Sequence, residues 1–193
     1  MDHKPIAAGG SSFDKIDSVR FFNAIKLRPG MVFLDVACGY GYYALAAFDY
    51  VGSQGRVYAV DLWQEGLIEL ASQIKHRKIA TVLPVLANAT QCIPLKTSCA
   101  DICLLATVLH DFVAEKTDDR VLKEIERILK QGGRFAVIEF EKVESHPGPP
   151  LSIRLAPNTV TEIVSRYGFQ WQMTEPIGLV HYLSIFINTK ADR

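Results

Sequence analysis

The sequence predicts an α/β fold, with a mostly parallel sheet and helices on both of its faces. Two observations carry that expectation. Short apolar runs recur at Met31 to Val36, Arg56 to Asp61, Thr81 to Ala87, Asp101 to Leu105 and Arg134 to Phe140, and each reads as a buried strand. Segments of helical period separate most of these runs, as crossover connections between parallel strands require.

Length and composition set the bounds. A chain of 193 residues is long enough for one domain with a sizeable core. Hydrophobic residues make up 49% and charged residues 22%, which is globular and not disordered. The formal net charge of +0 gives no global pull toward nucleic acid or an anionic membrane. No apolar run reaches spanning length, and Met1-Asp2-His3-Lys4-Pro5 lacks a signal-peptide core, so the expected location is cytoplasmic. Cys38, Cys92, Cys99 and Cys103 form no C-x-x-C pair and are expected to be reduced, mostly buried thiols.

In chain order, residues 1–13 read as a flexible segment and 14–193 as a single domain. Asp14 to Leu27 is expected as one helix, with Ile16, Val19, Phe22 and Ile25 on a common face. Arg28-Pro29-Gly30 breaks it before the first strand. Ala-rich helical sequence then runs to Val51, capped by Gly52. Leu67 to Ile79 is helical, and its basic end complements the helix C-terminus on a solvated face. Thr117-Asp118-Asp119 opens a helix with the apolar face Val121, Leu122, Ile125, Ile128 and Leu129, and Lys130-Gln131-Gly132-Gly133 is expected to end it. Glu141 to Pro150 reads as a loop stiffened at His146 to Pro150. A helix from Asn158 to Tyr167 follows Pro157, and Gly168 caps it. Phe169, Trp171 and Met173 alternate as a strand, and Leu179 to Asn188 is the last one.

The chemistry concentrates where the first strand ends. Asp35 is followed by Gly39-Tyr40-Gly41 and then by helix, an arrangement that suits a nucleotide-type ligand. As a dinucleotide fingerprint the loop satisfies only the relaxed form, with Ala44 at the third glycine position. A strand-end acid is useful against a cation, and S-adenosylmethionine (SAM) carries ammonium and sulfonium groups. Here the chain resembles the class I SAM-dependent methyltransferases, whose first motif is acid-x-Gly-x-Gly-x-Gly. It matches at Asp35, Gly39 and Gly41 and departs at Ala37, a mild departure provided Ala37 keeps a negative φ. Asp61, ending the second strand, can accept both ribose hydroxyls; it can equally cap the following helix, or serve NAD. Either Leu62 or Trp63 can pack on an adenine face, or simply in the core. By the resemblance, the Asn88 amide oxygen accepts from the adenine amino group while the Ala89 N–H meets the ring; otherwise Asn88 is a turn residue.

Open α/β sheets bind ligands at the carboxyl ends of their strands, which places Thr107, Leu109, His110 and Asp111 at the border of a transfer site. Val108-Leu109-His110-Asp111 resembles the Leu-His-His of methyltransferases acting on quinone precursors, closest to the ubiquinone/menaquinone biosynthesis C-methyltransferase-like enzymes. His110 is then a general base or a substrate contact, with a structural role as the alternative. Asp111 borders the same site. Arg154, in a stretch that again resembles the quinone-type enzymes, is a candidate for a substrate or bound anion, with a surface ion pair as the alternative. Leu129-Lys130-x-Gly-Gly-Arg-Phe adds a further mark of the family, and the resemblance extends over residues 14–190.

The resemblance implies a Rossmann-like sheet of seven strands, one of them antiparallel. It also implies SAM as cofactor, no metal, no nucleic-acid partner, and a small-molecule acceptor methylated at carbon or oxygen of an aromatic metabolite. The alternatives are an arsenite methyltransferase, a SAM-binding protein without turnover, and an NAD-dependent oxidoreductase. Oligomeric state is not set by the sequence.

Overall fold

The computed structural model describes residues 9–144 and 148–190. A 3-10 turn at Phe13–Lys15 and helix α1 (Ser18–Ala24) precede β1 (Val32–Val36). There follow α2 (Tyr42–Val51), β2 (Arg56–Asp61), α3 (Gln64–His76), β3 (Val82–Leu86), β4 (Ala100–Ala106), α4 (Leu109–Ala114), α5 (Asp118–Ile128), β5 (Leu129–Phe140), α6 (Pro157–Ser165), β6 (Phe169–Pro176) and β7 (His181–Asn188). The strands form one seven-stranded sheet in the order β3-β2-β1-β4-β5-β7-β6. Only β7 runs against its neighbours, pairing antiparallel with both β5 and β6. The order reverses between β1 and β4, so their carboxyl ends flank the crevice where such sheets take ligands.

The inner strands β1, β2, β4, β5 and β7 are largely buried, which is why their runs lack polar alternation, whereas the edge strands β3 and β6 expose residues such as Leu86 and Trp171. On one face Phe33, Ala59, Leu104, Ile138 and Leu183 pack with Phe21 and Phe22 of α1, Ala44 of α2 and Leu70 of α3. On the other, Leu34, Val60, Leu105, Val137 and Phe186 pack with Val121 and Ile125 of α5 and Val160 of α6. Among the described residues no helix is long and apolar enough to cross a membrane.

Two local expectations are corrected. The stretch from Asp14 to Leu27 is broken, because Asp17 leaves the helix to cap α1, its carboxylate accepting the Arg20 N–H at 2.9 Å. Ile16 instead bridges Gly178, so Val19 faces solvent while Phe21 takes the core position. Lys130 to Gly133 do not cap α5. The β4–β5 register jumps from Ala100↔Leu129 to Ile102↔Arg134, so these residues bulge out of the ladder, with Gly132 at φ +74°.

The N-terminal segment is packed wherever it is described. The buried Ser12 hydroxyl lies 2.9 Å from the Tyr43 hydroxyl, and Gly9 sits close enough to Tyr40 that an added Cβ would stand 3.3 Å from its ring. Met1 to Ala8 and His146-Pro147 lie outside the described residues.

Candidate functional site

The loop after β1 is built around Asp61. One Asp61 oxygen accepts the Gly39 N–H at 2.7 Å, and the other accepts the Trp63 N–H at 2.7 Å. The carboxylate thereby fixes the glycine loop and the start of α3 together, and it retains spare acceptor capacity. Burial pushes its pKa up, and the backbone N–H groups of Trp63, Gly39 and Leu62 pull against that. Gly41 adopts φ +72°, and an added Cβ there would stand 2.6 Å from Leu70, so close packing of α2 on α3 requires glycine. Gly39, at φ +56°, is different: an added Cβ would meet only the Gly10 carbonyl oxygen at 3.9 Å, leaving room beside the backbone.

Ala37 lies at φ +57°, not in the negative region expected of it. Thr107, after β4, lies at φ +54° although it is β-branched, and its N–H donates to the Ile138 carbonyl at 2.7 Å. Two non-glycine residues in the left-handed region thus stand at the carboxyl ends of the two strands that flank the crevice. Strain of this kind persists where surrounding structure over-determines the backbone, and it collects at ligand sites.

Asp35 is buried, and its Oδ2 has no hydrogen-bond partner among the described residues. Burial, with the charge of Asp61 adding to it, pushes the carboxyl up to about 8, against a hydrogen bond from the Ala44 backbone. An orphaned, desolvated carboxyl gains most from a ligand that brings a positive charge. The open side of Gly39, the spare lone pairs of Asp61 and the orphaned Asp35 oxygen together fit a nucleoside joined to a cationic amino acid, as SAM is. Leu62 is largely exposed, whereas Trp63 is buried against Tyr40 with ring centroids 4.9 Å apart. Asn88 is corrected in part. Its amide oxygen already accepts the Thr90 N–H at 2.9 Å and the Thr90 hydroxyl at 2.8 Å, so it acts as a turn residue and its oxygen is not open to adenine. Ala89 is buried directly beside it.

His110 has the partner that its sequence context did not reveal. The fully buried Glu139, next to last in β5, lies 2.8 Å and 3.0 Å from His110 Nδ1 through its two oxygens and also accepts the His110 backbone N–H at 3.0 Å. That contact makes Nδ1 the protonated nitrogen and leaves Nε2 toward Asp111, whose Oδ1 lies at 3.5 Å. Burial pulls the imidazole down, but the hydrogen bond and charge of Glu139, then the charge of Asp111, outweigh it and hold the pKa above 6.5. Burial likewise pushes the Asp111 carboxyl up, against the pull of His110.

Arg154 does not lie at the surface, where the ion-pair alternative would place it. It is buried, and its Nε donates to the Pro149 carbonyl at 3.0 Å while Nη1 donates to those of Glu141 at 3.2 Å and Val143 at 2.8 Å. Its guanidinium also lies 5.3 Å from the centroid of Phe140, a cation–π contact. These donors strap the segment after β5 in place, which is a different task from anchoring a substrate anion. Cys92 is exposed, contrary to the expectation of mostly buried thiols. Burial pushes Cys38 and Cys103 well up and raises Cys99, all against the thiolate.

A family model described as "Methyltransferase domain" matches residues 34–137. Among curated proteins, the chain is 32% identical over 117 residues to the ubiquinone/menaquinone biosynthesis C-methyltransferase of Laribacter hongkongensis, covering 61% of this chain and 46% of that protein. It is 30% identical over 152 residues to the demethylmenaquinone methyltransferase of Lactococcus lactis, covering 73% and 57%. The chain thus spans about half the length of the curated relatives it matches. Among solved structures, a SAM-dependent methyltransferase from Aquifex aeolicus superposes with a TM-score of 0.84 at 22% identity, covering 96% of this chain and 94% of that one. A TehB-like methyltransferase from Corynebacterium glutamicum gives 0.68 at 16% identity, covering 89% and 86%.

Proposed function

Given that the chain belongs to the class I SAM-dependent methyltransferases, we propose that it methylates a weakly acidic oxygen or carbon of a small aromatic acceptor, with His110 as the base. The observation that carries this reading is the His110–Glu139 pair at the carboxyl edge of the sheet. Methylating a phenol or an activated ring carbon needs the acceptor's proton removed as its electron pair attacks. With Nδ1 bonded to Glu139, the Nε2 lone pair can take that proton, and the buried Glu139 carboxylate stabilises the imidazolium that forms.

When bound, SAM supplies a methyl group on a positively charged sulfur, which departs as a neutral thioether. Asp35, Gly39, Gly41, Asp61 and Ala89 would hold it: Asp61 at the ribose hydroxyls, Asp35 toward the positive charge, and the loop backbone against the nucleoside. Thr107 would border the cofactor from the β4 side, and Asp111 would lie beside the acceptor. Fixing the two reactants in line then contributes much of the rate. The names of the relatives favour a quinol ring as acceptor. Arsenite is the weaker reading, because burial disfavours the thiolates it would need at Cys38, Cys99 and Cys103.

The test is a screen of phenols, quinols and arsenite with SAM, read by mass spectrometry of the methylated product. On the acceptor so found, His110→Ala is expected to leave SAM affinity within about threefold and to lower turnover by about 10² or more. Wild-type turnover in that variant makes His110 structural and overturns its assignment as base.

A further inference from the structure

Histidine 181 opens β7 at the same carboxyl edge and belongs to none of the groups assigned above. It is fully buried, and neither ring nitrogen has a hydrogen-bond partner among the described residues. An imidazole buried in that state forfeits both of its hydrogen bonds to water, a cost a folded chain rarely carries without a use. Its neighbours indicate the use. His181 is the cross-strand partner of Phe140, with ring centroids 4.5 Å apart, and His110 also neighbours the Phe140 ring, at 6.1 Å. Phe140 therefore touches both the proposed base and the unpartnered histidine.

The chain also builds a cover over this place. The Asp17 N–H donates to the Ile177 carbonyl at 2.8 Å, and Ile16 bridges Gly178. An added Cβ on Gly178 would stand 2.3 Å from the Lys15 carbonyl oxygen, so only glycine lets the cover sit down on the turn before β7. The Ser12–Tyr43 contact ties the other end of that cover to α2, the helix that follows the glycine loop. The segment from Ser12 to Asp17 thus links α2, which follows the cofactor loop, to the turn that leads into His181.

We infer that His181 is an acceptor-binding residue: its ring, packed against Phe140, hydrogen-bonds a hydroxyl or carbonyl oxygen of the aromatic acceptor whose other side meets His110. Burial, with Lys15 and Arg154 nearby, keeps the imidazole neutral, its pKa lowered to about 4. A neutral ring offers one N–H and one lone pair, which matches a ring hydroxyl or a quinone oxygen and gives no advantage to a carboxylate. The tilted ring contact with Phe140 adds an aromatic wall suited to an aromatic ligand. The inference rests on the reading of the protein as a methyltransferase of such acceptors.

The experiment uses the full chain saturated with S-adenosylhomocysteine and titrates 1,4-dihydroxynaphthalene under reducing conditions by calorimetry. His181→Phe is expected to weaken the naphthalenediol about three- to tenfold, the effect of one lost neutral hydrogen bond. It should leave S-adenosylhomocysteine affinity within about twofold and the melting temperature no lower than wild type, since two orphaned nitrogens are removed. His181→Gln, which keeps a donor and an acceptor, should recover part of the loss and serves as the readout if the Phe variant folds poorly. Unchanged diol affinity in both variants overturns the inference, as does a wild-type protein that binds S-adenosylhomocysteine but not the diol. Failure to bind S-adenosylhomocysteine at all overturns the methyltransferase reading instead.

Discussion

Replacing Glu139 by Gln isolates what the buried carboxylate does for His110. The substitution keeps size and one acceptor oxygen but removes the charge facing Nδ1 at 2.8 Å and 3.0 Å. A hydrogen bond to a charged group contributes about 1.5–3 kcal/mol, and a chain of this length shifts its melting point by about 2–4 °C per kcal/mol, so a drop of about 5–10 °C is expected near pH 6. The sign of the pH dependence follows from linkage. The folded pKa of His110 is raised above 6.5, so the pair's contribution is present in full below 6.5 and is lost as pH climbs through the folded value. The gap in melting temperature between wild type and Glu139→Gln should therefore be wider at pH 6 than at pH 9. For catalysis the order reverses, because His110 acts as a base only when neutral: wild-type turnover should rise with pH through that pKa, and in the variant the rise should come at lower pH. Thermal melts at both pH values and a pH–rate profile test this. An equal gap at pH 6 and pH 9, with an unshifted profile, refutes the pairing as the source of the raised pKa.

Four further outcomes are expected. Asp35, held near 8 when neutral, contributes stability below about pH 4 that is lost as pH rises toward 8; SAM should displace its proton at pH 7, and calorimetry in buffers of different ionisation enthalpy should show proton release that Asp35→Asn abolishes. Ala37→Gly removes about 1–2 kcal/mol of left-handed strain and returns about 0.4–1 kcal/mol through the freer unfolded chain, so the melting point should rise by about 1–3 °C; a fall contradicts the strain. Asp61→Ala should lower SAM affinity by about one to two powers of ten and also lower the unliganded melting point, because the Gly39 and Trp63 N–H groups lose their acceptor; normal SAM binding in a variant that melts early leaves Asp61 as a cap alone. Arg154→Ala should open the segment around Glu141 and Val143 to limited proteolysis at unchanged SAM affinity, whereas intact resistance removes its strapping role.

The parts of this protein legible in its sequence are those whose cause is local. Buried parallel strands announce themselves as apolar runs, and the loop from Asp35 to Gly41 carries its backbone demands in its glycines. Glu139 was legible in principle. Like Asp35 and Asp61, it is an acid at the carboxyl end of a buried apolar strand, Phe135-Ala136-Val137-Ile138-Glu139. Other features have no local cause. The φ of Ala37 follows from how the loop closes onto the second strand through Asp61, and the broken N-terminal helix follows from Ile16 pairing with Gly178 near the far end of the chain. Arg154 reads as a surface cation until the fold brings three carbonyls around it. The division has a functional counterpart. The cofactor side is one continuous stretch with one further acid and a turn, so a motif can specify it. The acceptor side proposed above draws on α4, the end of β5 and the start of β7, segments that meet only in the folded sheet. Such a site can change its ligand by substitutions scattered across distant segments while the cofactor motif stays intact, which is why the sequence pattern identifies the methyl donor far more sharply than it identifies the acceptor.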